Sequence, residues 1–250
     1  MDSTTIRKKA KRKRPDGGLN ADLIIAEALA LLDQDGLDGF SLRNLSKRLS
    51  VFPTAIYWHV PSRNELLARA VDAAFDLSLT GTFATWQEEL RHIFREYRAA
   101  VRRHPNVAPL VGTQLVTNVG VNLELVEAIL TALARAGFQG HSLGCAYNSV
   151  VATLVGFTTQ EFAQMPSEDL ADWQLDVRQR IEAVDPERYP TLGRNLPNLA
   201  NKAFILRWQN GIDNPLDDGF DFSVKTLLAG LSSMVPATRP AARPRKRNAD

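Results

Sequence analysis

The chain has 250 residues, 44% hydrophobic and 23% charged, with a net charge of +2, ordinary proportions for a globular protein with a sizeable core. No uninterrupted apolar run approaches the roughly 18 residues that cross a bilayer, and the basic start has no apolar stretch behind it, so neither a membrane span nor a secretory signal is expected. A single cysteine, Cys145, excludes an intramolecular disulfide framework and fits a reducing cytoplasm, the expected location. The charge is unevenly spread. Residues 1–63 hold eleven Lys/Arg against seven Asp/Glu, residues 64–236 fourteen against twenty, and residues 237–250 five against one. That split predicts an N-terminal module that meets a polyanion, joined to a body that does not.

Taken in order, the pattern is helical throughout. A basic run, Arg7 to Arg14, precedes any apolar periodicity, so residues 1–17 are expected to be a disordered arm. Asn20 caps a first helix, with Leu19 and Ile24 placed for a hydrophobic staple, Ile25, Ala28, Leu29 and Leu32 as its stripe and Gly36 as its C′ residue. A second helix starts at Ser41 with Leu42, Leu45 and Leu49. After a short break at Ser50 to Phe52, a third runs from Pro53 to about Val60, with proline in the first turn. Ser62-x-x-Glu65 opens a fourth, with Leu66, Ala70, Ala73 and Leu77 on one face. Thr85-x-x-Glu88 opens a fifth, whose stripe of Trp86, Leu90, Ile93, Phe94, Tyr97 and Val101 has the cleanest helical period in the chain.

That helix stops at His104-Pro105, and "NVAPLVGT" is a connector. "VNLELVEAILTALARAG" gives a further helix closed by Gly137. Ser142 then caps a long helix to about Met165 that is apolar on most sides, which predicts burial. "SEDLADWQLDVRQRIEAV" is amphipathic and more polar. Pro186, Pro190, Pro197 and Pro215 punctuate the next stretch, and "GFDFSVKTLLAGLSSMV" forms a last helix with Phe220, Val224, Leu227, Leu228 and Leu231 on one side. Residues 237–250 are expected to be a disordered basic tail. No alternating run reads as a strand. The fold class is all-α, with a three-helix N-terminal helix-turn-helix domain at residues 18–78 and a larger helical domain at 79–236 for ligand binding and dimerisation.

Two short helices joined by a three-residue break have the dimensions of a helix-turn-helix, whose second helix enters the major groove of DNA. In "VFPTAIYWHV" three rings stand in a row, and three consecutive side chains cannot share one helix face. Thr54 can bond a base edge and, like Ala55, touch a thymine methyl. Tyr57, Trp58 and His59 can donate to phosphates while their rings pack on sugars, and Ile56 points inward. Arg43 can reach a guanine edge; Lys47 and Arg63 can neutralise phosphate. A Tyr-Trp pair alone reads rather as core packing. Its place behind Leu-x-x-Leu-x-x-x-Leu, a short break and then Ser-x-x-Glu turns the reading to DNA. The basic arm, a solvated run by itself, is placed to reach the adjacent minor groove or backbone.

The stretch "NADLIIAEALALLDQDGLDGFSLRNLSKRLSVFPTAIYWHVPSRNELLARAVDAAF" resembles the tetracycline-repressor (TetR) family of bacterial transcription regulators. "TAIYWHVPSRNELL" is especially similar to the subgroup of the tetracycline repressor itself. A weaker likeness continues through "TWQEELRHIFREYRAAVRRHP" and "LVEAILTALARAGF" to the last helix. The resemblance implies a homodimer, a DNA-reading N-terminal domain that binds an operator, and a helical C-terminal domain that binds a small-molecule effector. It places Arg43, Pro53, Thr54, Ala55, Tyr57, His59 and Arg63 at DNA-facing positions. Two departures stand out. The turn has Ser46 and Ser50 where a small residue and a glycine are common, and a serine at positive φ is strained. Leu110 stands where tetracycline-binding members put a metal-contacting histidine before Gly-Thr, here Gly112-Thr113, and the helix that should add acidic contacts reads "GFTTQEF". This second departure argues against a magnesium–tetracycline ligand, and no cofactor is expected.

An effector pocket would lie between the helices of residues 86–103, 121–137 and 142–165, lined mostly by apolar groups. Trp86, Phe94, Tyr97, Gln114, Asn118, Tyr147, Thr158 and Phe162 are its candidate residues, although such a stripe also serves a plain core. The segment from Met165 to Asp218 is long for a helix–helix connection and is expected to act as a lid or an arm across a dimer. "GHSLG" at 140–144 matches the nucleophile elbow of esterases, but a helix precedes it and no histidine lies beyond Ser142. His92, His104 and Cys145 lack metal-ligand spacing. No enzyme is expected. The function read from the sequence is a ligand-responsive repressor on a palindromic operator; the alternative is an architectural DNA binder without effector.

Overall fold

The structure, a computed structural model, describes residues 18–111, 122–166 and 168–235, and every regular element among them is helical. The fold is all-α. The expected arm and tail lie outside the described residues.

Four helices build the N-terminal head: α1 (Ala21–Gly39), α2 (Leu42–Leu49), α3 (Pro53–Tyr57) and α4 (Arg63–Ala74). Three of them start on a side-chain cap that satisfies an orphan amide of the first turn. Asn20 Oδ1 accepts from the Leu23 amide at 2.8 Å, and Ser41 and Ser62 Oγ accept from Asn44 and Glu65 at 3.1 Å. α3 has no such cap and opens on Pro53, which has no amide proton to satisfy. Ile24, Ala28 and Leu32 of α1 meet Leu45, Ile56, Leu66 and Ala70, with Phe40 and Val60 closing the core between them.

The head departs from the sequence reading in detail. Gly36 does not end α1 but kinks it, at φ 65° and ψ −173°, a conformation essentially reserved for glycine. Ile24 and Leu31 are buried, whereas Leu29 is only half-buried, because the helix turns a wider stripe to the core than one row of contacts. α3 is shorter than expected, ending at Tyr57. α4 ends at Ala74, so Leu77 lies beyond it, and Val71 and Ala74 are buried where Ala73 is exposed.

The body contains α5 (Trp86–Arg103), α6 (Leu123–Ala136), α7 (Gly140–Glu161), α8 (Leu170–Glu182), α9 (Pro190–Leu199) and α10 (Asp217–Met234), with a 3₁₀ turn at Pro105–Val107 after α5. Thr85 and Glu88 form a reciprocal capping box at the start of α5. α5 packs against α6, α7 and α10; α7 also packs against α6 and α10. Leu90, Ile93, Phe94, Tyr97 and Val101 fill the middle, with Trp86 half-buried at the edge. Gly137, at φ 103°, ends α6 in a Schellman motif, the Phe138 amide bonding the Leu133 carbonyl at 3.2 Å.

Ser142 is not the N-cap of the long helix, which starts two residues earlier at Gly140 after Gln139. It works one turn in: its Oγ accepts from the Gln139 amide at 3.2 Å and donates to the Gln139 carbonyl at 2.8 Å. The helix stops at Glu161 rather than near Met165. One face of it, including Gly144, Cys145, Asn148, Ala152 and Gly156, is not buried in the single chain. On α10, Leu227 is half-buried and Phe222 and Met234 face solvent. α9 is an addition to the sequence reading: Pro190 sits at its first turn, where proline is tolerated, and no residue of it is buried, so no apolar period announces it.

Candidate nucleic-acid interface and effector body

The head presents one continuous polar and aromatic face. The turn after α2 is a Schellman motif: the Val51 amide bonds the Ser46 carbonyl at 3.0 Å and the Ser50 amide that of Lys47 at 3.2 Å. Ser50 holds the left-handed position at φ 57°, ψ 40°, where glycine would be unstrained. This turn sets the angle of α3. Ile56 and Val60 are buried and fix α3 to the core. Everything between them faces out: Tyr57 is 44% exposed, Trp58 is 88% exposed, and His59 is exposed beside them. Pro53 and Thr54 are exposed at the opening of the helix and Ala55 is half-buried.

Arg43, Lys47 and Arg63 are also exposed, and none has an acidic partner among the described residues; Arg63 lies 5.7 Å from the Phe40 ring centroid. Arg48, on the other side of α2, differs. It is spent on Glu27 at 2.5 Å and Gln34 at 2.9 Å. Arg43, Lys47 and Arg63 are thus left without an acid among the described residues, whereas Arg48 is not. Sequence reasoning missed Phe52, which is 81% exposed immediately before Pro53. The sequence reading places it in the break between helices; its position one residue ahead of a helix-opening proline is the available signal.

The head is fastened to the body through both α1 and α4. α4 packs on α5, and the kinked end of α1 packs on the 3₁₀ turn. His104 Nδ1 lies 2.9 Å from Asp33 Oδ2, and Asn106 Nδ2 donates to the carbonyls of Leu32 and Asp33 at 2.9 and 3.1 Å. Those carbonyls lie just before the Gly36 kink, where the helical ladder is interrupted, so Asn106 supplies donors the helix lacks.

Of the eight pocket candidates, Phe94, Tyr97, Thr158 and Phe162 are buried, Trp86 and Tyr147 are half-buried, and Gln114 and Asn118 lie outside the described residues, as does Gly112-Thr113. Thr158 Oγ1 donates back to the Leu154 carbonyl at 2.9 Å. Tyr97 stacks on Phe75 at 4.8 Å, and its buried hydroxyl makes no hydrogen bond among the described residues. Burial pushes the Tyr97 phenol well above its ordinary pKa, with the Thr158 side chain acting in the opposite sense. Burial likewise raises the pKa of Tyr147.

Sequence reasoning also missed the ionic centre that closes this body. Glu161, within "GFTTQEF", is fully buried at the end of α7. Arg98 Nε and Nη2 donate to its two oxygens at 2.8 and 2.5 Å, and the Leu216 amide donates at 2.9 Å. Arg98 Nη1 also lies 2.8 Å from Asp217, and its guanidinium stacks 4.5 Å over Phe220. Burial opposes the Arg98 charge, but Glu161 and Asp217 outweigh it and its pKa rises. In the segment from 200 to 216, Asn201 Oδ1 accepts from the Trp208 and Gln209 amides, and the Gly211 amide bonds the Glu161 carbonyl at 2.7 Å. Arg207 belongs to this segment; burial lowers its pKa, Glu161 partly offsets that, and its Nε and Nη1 are buried without a hydrogen-bond partner among the described residues.

Comparison with known proteins matches residues 24–70 to the model of bacterial regulatory proteins of the tetR family, and residues 81–235 to the tetracycline repressor-like C-terminal domain. The chain belongs to the TetR family. It is a DNA-binding transcription regulator of helix-turn-helix type. It is 29% identical over 189 residues to an HTH-type transcriptional regulator of Saccharopolyspora erythraea, covering 75% of this chain and 79% of that one. It is 24% identical over 249 residues to the HTH-type transcriptional repressor DrrR1 of Streptomyces coeruleorubidus, covering 93% and 86%. The TetR fold is shared with ActR of Streptomyces coelicolor in complex with (S)-DNPA (TM-score 0.65, 16% identity, 88% and 100% covered). It is also shared with BioQ of Mycobacterium smegmatis, solved with its double-stranded DNA operator (TM-score 0.59, 22% identity, 86% and 99% covered). No helix among the described residues is long and apolar enough to cross a membrane.

Proposed function

We propose that this TetR-family regulator is a repressor that binds a palindromic operator as a homodimer and is released by a small-molecule effector. Residues 18–78 are the DNA-binding domain and residues 79–236 the effector-binding and dimerisation domain, with basic segments at 1–17 and 237–250. The observation that carries the reading is the outward face of Thr54, Tyr57, Trp58 and His59, flanked by Arg43, Lys47 and Arg63 with no acid among the described residues to neutralise them. Residues at the start of α3 meet base edges, and the rings and cations meet phosphates and sugars.

Two further features support a pair of protomers. α7 reads as buried on most sides yet leaves Gly144, Asn148, Ala152 and Gly156 uncovered, mostly small groups that let another helix approach closely. Phe222 and Met234 on α10 are each 71% exposed and would be covered in the same association. Two heads on a symmetric pair would read half-sites about 34–36 Å apart.

ActR carries a small molecule in the same fold, which supports an effector chamber around Phe94, Tyr97, Thr158 and Phe162. The Tyr97 hydroxyl, which makes no hydrogen bond among the described residues, would give such a molecule a hydrogen-bonding partner inside an apolar wall. Filling the chamber would displace the turn at 105–107 and, through Asp33 and Leu32, the head fastened to it. The resulting shift cannot exceed the effector's differential affinity for the two arrangements. The test is Tyr57→Ala in the full chain. It is expected to abolish protection of a selected palindrome while leaving the self-association state unchanged; wild-type gel-shift affinity from that variant refutes the assignment.

A further inference from the structure

We infer that Phe52 is a base-reading residue that recognises a C5-methyl group, that of thymine, in the operator half-site; the inference rests on the reading of the head as the DNA-facing surface. Phe52 precedes Pro53 with an extended backbone, φ −77° and ψ 146°, and its carbonyl accepts from the Ala55 amide at 2.9 Å, which fixes it to the first turn of α3. Val51 is half-buried against the core of the head, whereas Phe52 is exposed, as are Pro53 and Thr54 that follow it. At 81% exposure it has little to pack on in the single chain, and no aromatic or cation–π partner among the described residues.

The chemistry of the ring narrows what it can read. A phenyl group neither donates nor accepts, so it cannot hold a phosphate or any nitrogen or oxygen on a base edge. In the major groove the apolar group that a base edge presents is the C5-methyl of thymine. The start of a recognition helix is where base edges are met. Phe52 therefore separates thymine from cytosine at one base pair of each half-site, beside the contacts of Thr54 and Ala55. An unmethylated cytosine gives it nothing; 5-methylcytosine offers the same methyl group from another source.

The experiment selects binding duplexes from an unmethylated random library with the full-length protein, then replaces each thymine in turn by deoxyuridine, which deletes only the methyl. For wild type, at least one symmetric pair of thymines is expected to be sensitive, with affinity falling about fourfold per half-site, the worth of one buried methyl, and the pair read by Phe52 is the one whose sensitivity Phe52→Ala removes. Phe52→Ala is expected to bind the thymine and deoxyuridine duplexes equally at that pair, and Phe52→Leu to keep part of the preference. 5-Methylcytosine at the same pair is expected to bind better than cytosine in wild type and no better in Phe52→Ala. Equal loss by Phe52→Ala on both duplexes, or a methyl preference that survives Phe52→Ala everywhere, overturns the inference while the DNA-reading head stands. Failure to enrich any sequence overturns both.

Discussion

The carboxylate of Glu161 is fully buried and depends on its partners for its charge. It has two Arg98 nitrogens and the Leu216 amide for partners, whereas Asp217, the other acid on Arg98, is two-thirds exposed. Removing Arg98 leaves a charge stranded in the interior, so Arg98→Ala is expected to cost about 3–5 kcal/mol in urea unfolding. Asp217→Ala, which takes away the solvated partner, is expected to cost under about 1 kcal/mol. Equal effects of the two would place the weight of the network elsewhere. None of this was legible in "GFTTQEF", because the partners of Glu161 are far off in the chain, on α5 and at the start of α10. Ile56, by contrast, was readable as inward-facing, since its neighbours Tyr57, Trp58 and His59 cannot follow it into one core.

At the scale of elements, caps and punctuation were the legible signals. Asn20, Ser41, Ser62 and Thr85 each start the helix they were expected to start, because an N-cap is a local interaction spanning about three residues. Ser142 and α9 were misread where that locality fails: a hydroxyl at the third helical position makes bonds similar to those of a cap, and an exposed proline-bearing helix lacks an apolar period. The strain at Ser50 is legible in the turn itself. Ser50→Gly relieves its left-handed backbone, partly offset by the greater freedom of glycine in the unfolded chain, and is expected to raise stability by a few tenths to about 1 kcal/mol. A lower urea midpoint would mean that the serine hydroxyl makes a contact the turn depends on. The joint between α1 and the 3₁₀ turn carries a different expectation. Asn106→Ala withdraws both donors from the Leu32 and Asp33 carbonyls, so operator affinity without effector should stay within about threefold, while the release caused by an inducing effector should weaken. Unchanged release in a gel-shift titration would move the coupling route to the α4–α5 contact.

For the whole molecule, two basic ends around an acidic middle were visible in the charge count before any helix was placed. What could not be read was which face of an apolar helix remains uncovered, since periodicity reports burial without naming the partner that provides it. α7 shows this: its sequence asks for cover on most sides, and the single chain leaves Gly144 to Gly156 open along one of them. Hence the account depends on two copies acting together. The most direct test is the mass of the complex between the full-length protein and a duplex carrying one selected palindrome, measured by sedimentation or native mass spectrometry. Two chains per duplex are expected, with no complex on a scrambled duplex and none with Tyr57→Ala on either. One chain per duplex, or equal binding to palindrome and scramble, would contradict this.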